Sequence, residues 1–185
     1  LFAVPHTMQE ATRQIWGTTQ PIPNPARYTP DDYPLLSAFG VREAPELHDI
    51  ADVLAERGIS EQTSLGLSTL LARLNDREVE GITTFDVLRE TPWVLDGTRC
   101  FRRPGEVFID SLNARALVGD FKEEYAHTAI TDRLGEDLAR RLGFKTTRDV
   151  TLEHIKRHIA DRELRGAAVP PPVYRWLELC LTENK

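Results

Sequence analysis

His154 and His158, two histidines four positions apart, have a spacing that could do chemistry. Positions i and i+4 share one face of a helix, and two imidazoles placed in this way form half of many zinc sites. The local sequence EHIKRH lacks the glutamate of the H-E-x-x-H motif. The apolar stripe of Leu152, Ile155 and Ile159 places both histidines on a solvated side of the helix, with no third ligand nearby. We therefore expect no metal site.

Adjacent carboxylates occur at Asp31-Asp32 and at Glu123-Glu124. Paired acids work as acid and base only when a pocket drives their pKa values apart, and Asp31-Asp32 more simply favours a helix N-terminus. Ser64 and Ser68 resemble a serine nucleophile region only superficially and lie inside a predicted helix. The sequence contains no P-loop, no G-x-G-x-x-G and no G-x-S-x-G motif. We therefore expect no catalytic residue, no cofactor and no enzyme activity in this segment.

The stretch TRCFRRPG concentrates three arginines around a cysteine, where cationic neighbours could lower the pKa of the thiol. In a strand, however, side chains alternate between the two faces. Cys100 and Arg102 then lie on one face, whereas Arg99, Phe101 and Arg103 lie on the other. Because the arginines do not converge, we expect a hairpin arm rather than a phosphate grip or a reactive thiol.

The segment 138–166 is locally basic, with eight lysines and arginines against four acids in a chain of net charge −6. Its cations could contact phosphates. The residues that would do so are Arg140, Arg141, Lys145, Arg148, Lys156 and Arg157. The simpler interpretation, which we favour, is that alternating charges solubilise the helix faces and meet acidic neighbours in a parent protein.

The composition is that of a globular domain, with 41% apolar and 28% charged residues. No apolar run is long enough to span a membrane, and residues 1–10 lack the features of a signal peptide, so we expect a cytoplasmic protein. Two cysteines without C-x-x-C spacing provide no disulfide framework. The chain begins at Leu1 instead of a methionine, and we expect it to be a piece of a longer protein.

Start and stop signals predict helices in the first half of the chain. A capping box at Thr7 and Glu10 opens a helix that ends at Trp16, before a proline-rich connector. A short helix or turn ends at Gly40, and Pro45 opens a helix that ends at Gly58. Ser60 caps the next helix, in which Gly66 is an unfavourable residue. That helix carries a stripe of Leu67, Leu70, Leu71 and Leu74.

The second half is predicted to begin with strands. The segments PWVL and TRCFR form a hairpin at Asp96-Gly97, a pair that accommodates positive φ, and residues 106–109 form a possible third strand. Helices then cover 132–142, capped by Thr131, and 152–164, capped by Thr151. A last helix follows the prolines at 170–172. Its apolar stripe comprises Val173, Trp176, Leu177, Cys180 and Leu181, and Cys180 is expected to be a buried small hydrophobe.

Two segments share an order of elements that indicates an internal repeat. Around Gly40-Val41 and around Gly143-Phe144, a helix is followed by a glycine-apolar step, a second helix, another glycine and a third helix. The aligned apolar positions are Leu35, Phe39, Leu47, Ile50 and Leu54 against Leu138, Leu142, Leu152, Ile155 and Ile159. We expect residues 35–76 and 138–183 to contain the same helices in the same order.

The segment TPWVLDGTRCFRRPGEVFID, followed by the Leu-Gly-Phe step and paired helices, resembles regions of sacsin and of sacsin-like bacterial proteins. The matching residues are Pro92, Trp93, Asp96, Gly97, Arg103, Pro104, Glu106, Val107 and Phe108, together with the steps at 39–41 and 142–144. In that family such regions follow an Hsp90-like ATP-binding domain. The resemblance covers about 35–183 and implies a scaffold-like or chaperone-related segment to which no catalytic residue transfers.

We therefore predict an α+β fold that is mostly α-helical, with two related helical units flanking a small antiparallel sheet. The predicted organisation is an N-terminal helix and connector (1–28), a first helical unit (29–76), and a hairpin with a second helical unit (77–185), in one compact domain or two small subdomains. The predicted function is a non-catalytic structural or protein-interaction segment. The alternative is a nucleic-acid-contacting module of a larger defence or repair protein, and a small hydrolase has no residues to nominate.

Overall fold

The computed structural model describes residues 6–16, 32–38, 40–41, 49–50, 52, 54, 58–74 and 82–183. Over these residues the protein is mostly helical with one small antiparallel sheet, which confirms the predicted α+β class. The proline-rich connector and most of the helix predicted after Pro45 lie outside them. None of the described helices is long and apolar enough to cross a membrane.

The described residues form α-helices and one pair of strands, numbered here in chain order. The first four helices are α1 (His6–Trp16), α2 (Tyr33–Ala38), α3 (Glu61–Leu74) and α4 (Ile82–Glu90). Strands β1 (Val94–Leu95) and β2 (Phe101–Arg102) follow. The last four helices are α5 (Leu112–Val118), α6 (Thr128–Arg141), α7 (Leu152–Leu164) and α8 (Pro171–Glu183). Three single 3₁₀ turns cover Pro104–Glu106, Lys122–Glu124 and Thr147–Asp149.

Several predicted helix starts are confirmed and two are wrong. Ser60 caps α3, since its hydroxyl accepts the Thr63 N–H at 3.0 Å. Helix α1 begins at His6, so Thr7 lies inside it instead of capping it.

Helix α6 begins before the predicted cap. The hydroxyl of Thr131 donates to the Thr128 carbonyl at 3.1 Å, whereas Nδ1 of His127 accepts the Ala129 N–H at 3.2 Å and makes His127 the cap. Because the cap lies four residues earlier than Thr131, α6 gains a full turn. The helix is also kinked at Gly135, whose φ of 70° is not helical.

Helices α4 and α5 are absent from the sequence-based prediction. The start of α5 is capped by Ser111, whose hydroxyl accepts the Ala114 N–H at 3.2 Å, and its end is Gly119 with φ of 94°. A serine before the helix and a glycine after it are ordinary boundary signals. The element was missed because its seven residues are too few to show a helical period.

The third strand predicted at 106–109 does not form. Pro104–Glu106 is a 3₁₀ turn, and Phe108 makes two isolated parallel bridges, to Tyr125 and to Lys145. The Phe108 N–H donates to the Glu124 carbonyl at 2.7 Å and its carbonyl accepts the Ala126 N–H at 3.0 Å. Phe108 is therefore a junction between three chain segments, which a continuous strand with one partner could not provide.

Two apolar clusters hold these elements together. The larger joins α1, α3, α4 and α6 to the hairpin. Its fully buried members include Ile50, Leu67, Leu70, Leu88, Trp93, Val94, Val107, Ile130, Ala139 and Leu142. The smaller lies between α5, α7 and α8 and contains Phe108, Ala114, Val118, Tyr125, Val150, Ile155 and Val173. Val107 and Phe108, adjacent in sequence, point into different clusters and so tie them together.

The two glycine-apolar steps of the repeat have the same backbone geometry. The Gly40 N–H donates to the Ser37 carbonyl and the Val41 N–H to the Leu36 carbonyl, at 2.9 and 3.0 Å. The second step makes equivalent bonds, from Gly143 to Arg140 and from Phe144 to Ala139, at 3.0 and 3.1 Å. Both glycines have positive φ, 76° and 89°, as a Schellman end requires. In the described residues, both steps lie between helices in the predicted order.

Candidate functional site

The hairpin is built around the buried carboxylate of Asp96, which is 0% exposed. Oδ1 accepts hydrogen bonds from the Thr98 N–H, the Thr98 hydroxyl and the Cys100 N–H, at 2.8, 2.6 and 2.9 Å. Oδ2 accepts the Arg102 Nε–H at 3.0 Å. Burial by itself would raise the pKa of Asp96, but these donors outweigh it and hold the pKa below its usual value. Asp96 is therefore ionised, and both of its carboxylate oxygens accept hydrogen bonds from the hairpin.

The turn differs from the predicted one. Asp96 N–H donates to the Cys100 carbonyl at 2.9 Å, and Arg99 N–H to the Asp96 carbonyl at 3.0 Å, so three residues form the loop. The positive φ falls on Arg99, at 65°, not on Gly97. Gly97 is needed for space instead, because a Cβ there would lie 2.6 Å from the carbonyl oxygen of Lys122.

The three arginines of the hairpin have three different acidic partners. Arg102 binds Asp96 as described, Arg99 lies 3.5 Å from Glu61 of α3, and Arg103 lies 3.8 Å from Glu90 of α4. Their charges are thus used to hold the hairpin against two helices. Cys100, between them, is exposed. The arginines do not meet at a common anion site, as strand alternation predicted.

A second charged cluster lies at the two ends of α5. The guanidinium of Arg115 binds both oxygens of Asp110, at 2.6 and 2.8 Å, and Asp120 at 3.1 Å. The hydrogen bonds to Asp110 are the main reason why the pKa of Arg115 lies above its usual value. Its Cζ lies 5.1 Å from the ring centroid of Tyr125, whose hydroxyl donates to the Gly119 carbonyl at 2.6 Å. Burial raises the pKa of Tyr125, so this phenol stays neutral.

The paired acids Glu123 and Glu124 are occupied by one arginine. Arg157 of α7 donates to Glu124 at 2.6 Å and to Glu123, while its guanidinium stacks 3.9 Å from the ring centroid of Phe121. Its hydrogen bond is among the causes that lower the pKa of Glu123, after a backbone hydrogen bond. Both carboxylates therefore bond to the same guanidinium, which ties the turn at 122–124 to α7.

Most of the other basic residues nominated for phosphate contact already have partners. Arg140 lies 3.0 Å from Glu136 and 3.3 Å from Asp137, whereas Lys156 lies 2.9 Å from Glu153. The ammonium of Lys145 donates to the Glu106 carbonyl at 3.1 Å. Arg148 is exposed, and Arg141 also makes an interaction within the protein. The structure therefore does not gather these six cations on one unoccupied surface.

The two histidines are not on a solvated side, contrary to the prediction. His158 is 3% exposed, and its Nδ1 lies 2.9 Å from the Leu117 carbonyl, so that α7 is tied to α5. His154 is partly buried, edge-on to the ring of Phe108. The prediction was wrong because α5 and residues 107–109 pack against sides of α7 that the apolar stripe alone does not identify as buried. In the described part of the chain, no group of three or more potential ligands could hold a metal ion.

The serines of α3 lie inside the helix, as predicted. Both are 0% exposed. Ser68 donates to the Leu65 carbonyl at 2.8 Å, whereas Oγ of Ser64 is buried without a hydrogen-bond partner. Gly66 lies between them where α3 meets α1, and a Cβ there would lie 2.8 Å from Cβ of Gln14. The glycine that weakened the helix prediction is thus required by helix packing.

The last helix exposes part of its apolar stripe. Val173 is fully buried, Trp176, Leu177 and Cys180 are half-buried, and Leu181 is 72% exposed. Cys180 is thus less buried than predicted. Helix α8 has thirteen residues, whereas α5, against which it packs, has seven, so the smaller cluster covers the first turns of α8 better than the last.

Sequence reasoning missed several polar residues, although their side-chain hydrogen-bond partners lie only two to six positions away in the chain. Asp96 was interpreted as a turn residue, and its burial was not expected. Arg115 and Tyr125 drew no attention, since nothing in the sequence around them indicates a charge cluster. The Ser111 and Gly119 boundaries of α5 are the signal that could have placed them. Comparisons with models of protein families, with curated proteins and with solved structures find no match.

Proposed function

We propose that this chain is a non-catalytic structural and protein-interaction segment of a larger cytoplasmic protein of the sacsin-like, chaperone-related type. Any ATPase activity then belongs to another domain of that protein. The proposal rests on the sequence resemblance and on the use of charged groups within the fold. Asp96, Arg115 and Arg157 each hold two or more chain segments together through their hydrogen bonds. Hydrogen bonds of this kind use charged groups to hold the fold and fix its surface.

The observation that carries the interaction role is the apolar flank of α8, formed by the exposed Tyr174 and Leu181 with the half-buried Leu177 between them. These residues lie at i, i+3 and i+7 and therefore on one side of the helix. Tyr174 is 55% exposed and Leu181 is 72% exposed. An amphipathic helix with an uncovered apolar flank is a common way for one domain to dock on another. We propose that another domain of the parent protein covers this flank.

Hydrogen exchange of α8 in the full-length protein and in this 185-residue chain tests the proposal. If the flank is covered in the full-length protein, the α8 amides should exchange about tenfold more slowly there. The amides of α3 serve as the control, because Leu67, Leu70 and Leu71 of α3 are already buried in this chain. Equal exchange of α8 in both proteins would contradict the proposal.

Matched variants locate the contact. Leu181→Glu in the full-length protein should remove the extra protection of α8, whereas Thr182→Glu, on the polar side, should leave it unchanged. If both variants behave alike, the flank is not the contact surface.

The nucleic-acid alternative has its own test. Anisotropy of a labelled single-stranded and a labelled duplex oligonucleotide should show no binding at low salt if the segment only contacts protein. Binding that is lost when Arg140, Arg141 and Lys145 become alanine would replace our proposal with the alternative. We favour the protein-interaction role, because Arg140 is paired with a carboxylate and the ammonium of Lys145 already donates to a carbonyl within the fold.

A further inference from the structure

The first turn of α7 is held by a histidine at the position where a capping box has glutamate or glutamine. The Thr151 N–H donates to Nδ1 of His154 at 3.0 Å, and the Thr151 hydroxyl lies 2.8 Å from the same nitrogen. A backbone N–H can only donate, so Nδ1 must be the unprotonated ring nitrogen and Nε2 carries the proton. This capping bond therefore exists only while His154 is neutral.

The surroundings of the ring come from several elements. Oε2 of Glu124, in a 3₁₀ turn, lies 3.8 Å from Nε2 of His154. The ring of Phe108 meets it edge-on, with centroids 5.1 Å apart. Burial lowers the pKa of His154, the charge of Glu124 opposes that lowering, and the charges of Lys145 and Arg157 add to it. The net result is a pKa below the usual value for histidine.

We propose that His154 is an acid-sensitive clamp at the start of α7, which releases the Thr151 N–H when Nδ1 takes up a proton from solvent. The released ring carries a positive charge at a helix N-terminus, where the helix dipole disfavours cations. Its nearest favourable partner is Glu124, so the charged ring turns away from Thr151 and toward that carboxylate. Loss of the capping bond and repulsion by the helix dipole both destabilise the first turn of α7.

The pH range follows from the direction of the shift. A histidine whose pKa is lowered in the folded state stabilises the fold fully above its unfolded value, about 6.5. That stabilisation is lost as the pH falls through the lower, folded value. Acidification through that folded value thus loosens the start of α7, while the same turn is closed at pH 7.5.

The smaller apolar cluster is the part of the fold that responds. Ile155 follows His154 directly and is 0% exposed, and Val150 lies just before the cap at 6%. Both belong to the cluster that includes Phe108 and Val173, whereas α1 and α3 belong to the larger one. The clamp therefore acts on the α5–α7–α8 side of the molecule, which includes the helix that carries the exposed flank.

Site-resolved amide exchange by NMR over a series from pH 7.5 down to pH 4.0 tests the clamp. After correction for intrinsic exchange, the protection of the Thr151 amide should fall by about five- to tenfold at the lower pH, the factor that loss of one cap produces. The Ala114 amide is the internal control, because its acceptor is the hydroxyl of Ser111, which does not titrate. Unchanged protection of Thr151, or an equal loss at Ala114, overturns the proposal.

Two conservative variants separate the clamp from general acid unfolding. His154→Gln keeps an acceptor at the capping position and cannot titrate, so the Thr151 amide should stay protected throughout the pH series. Glu124→Gln removes the charge that favours the protonated ring, so the loss of protection should move to lower pH. A pH-dependent loss that persists in His154→Gln, or a midpoint that does not move in Glu124→Gln, contradicts the mechanism.

Discussion

Asp96 and Arg102 form an ion pair across the hairpin in which the carboxylate is completely buried and the guanidinium is 43% exposed. Three further donors, from Thr98 and Cys100, complete the shell of the carboxylate. The pair fixes the ionised carboxylate at the start of the loop that joins β1 to β2. Four hydrogen bonds on one buried group make this contact the point of the hairpin most sensitive to substitution.

Asp96→Ala should lower the free energy of unfolding by about 3 kcal/mol, because four donors lose their acceptor and Arg102 loses its partner. Urea unfolding followed by circular dichroism measures the effect. Arg99→Gln is the matched control, since Arg99 makes an exposed pair with Glu61 that is worth less than about 1 kcal/mol. Equal losses in the two variants would contradict the central role of Asp96.

The stability that Asp96 contributes should depend on pH. Its pKa is lowered in the folded state, so the contribution is complete above the unfolded value, about 3.9, and is lost as the pH falls through the folded value. The difference in unfolding free energy between the wild type and Asp96→Asn should therefore shrink below pH 4. A constant difference between pH 7 and pH 2.5 would show that the carboxylate is not ionised in the fold.

Two glycines should resist substitution for different reasons. Gly97→Ala should destabilise the protein by more than about 2 kcal/mol, because the new Cβ would lie 2.6 Å from the Lys122 carbonyl oxygen. Gly166→Ala meets no atom within 4 Å and should cost only the positive-φ strain of about 1 kcal/mol. Thermal unfolding of both variants measures the difference, and the reverse order would contradict the close approach at Gly97.

Neighbouring residues of α3 should respond in opposite directions. Gly66→Ala should destabilise the protein although alanine favours helices, because its Cβ would lie 2.9 Å from the Ala11 carbonyl oxygen of α1. Ser64→Ala removes a buried hydroxyl that has no hydrogen-bond partner and should be neutral or stabilising by up to about 1 kcal/mol. The urea midpoint of Gly66→Ala should lie below the wild-type value. The midpoint of Ser64→Ala should lie at or above it.

The two-oxygen contact of Arg115 with Asp110 requires a guanidinium. Arg115→Lys should cost about 1–2 kcal/mol, since an ammonium cannot make both hydrogen bonds and also reach Asp120. Arg140→Lys, whose partners Glu136 and Asp137 are exposed, should change stability by less than about 0.5 kcal/mol. The same unfolding assay compares them, and a neutral Arg115→Lys would show that the cluster at α5 is not a structural contact.

Local signals in the sequence predicted the helices whose ends are marked. Ser60, Thr151 and Gly143 each make a hydrogen bond to a residue three positions away, so their roles can be inferred from neighbours alone. The same is true of the glycine-apolar steps. Failures occurred at Thr131 and Arg99, where a distant contact or the hairpin twist selected among conformations that the local sequence allows.

The sequence by itself determined the mostly helical class, the hairpin between helices and the main helix ends, because these depend on periodicity and on capping over short distances. Only the tertiary structure decided what the polar groups do. The burial of Asp96, the tie between His158 and Leu117, and the need for glycine at positions 66 and 97 each depend on a segment far away in the chain. A side chain becomes buried or hydrogen-bonded when another segment packs over it. The residues next to it in the sequence do not indicate which segment that is.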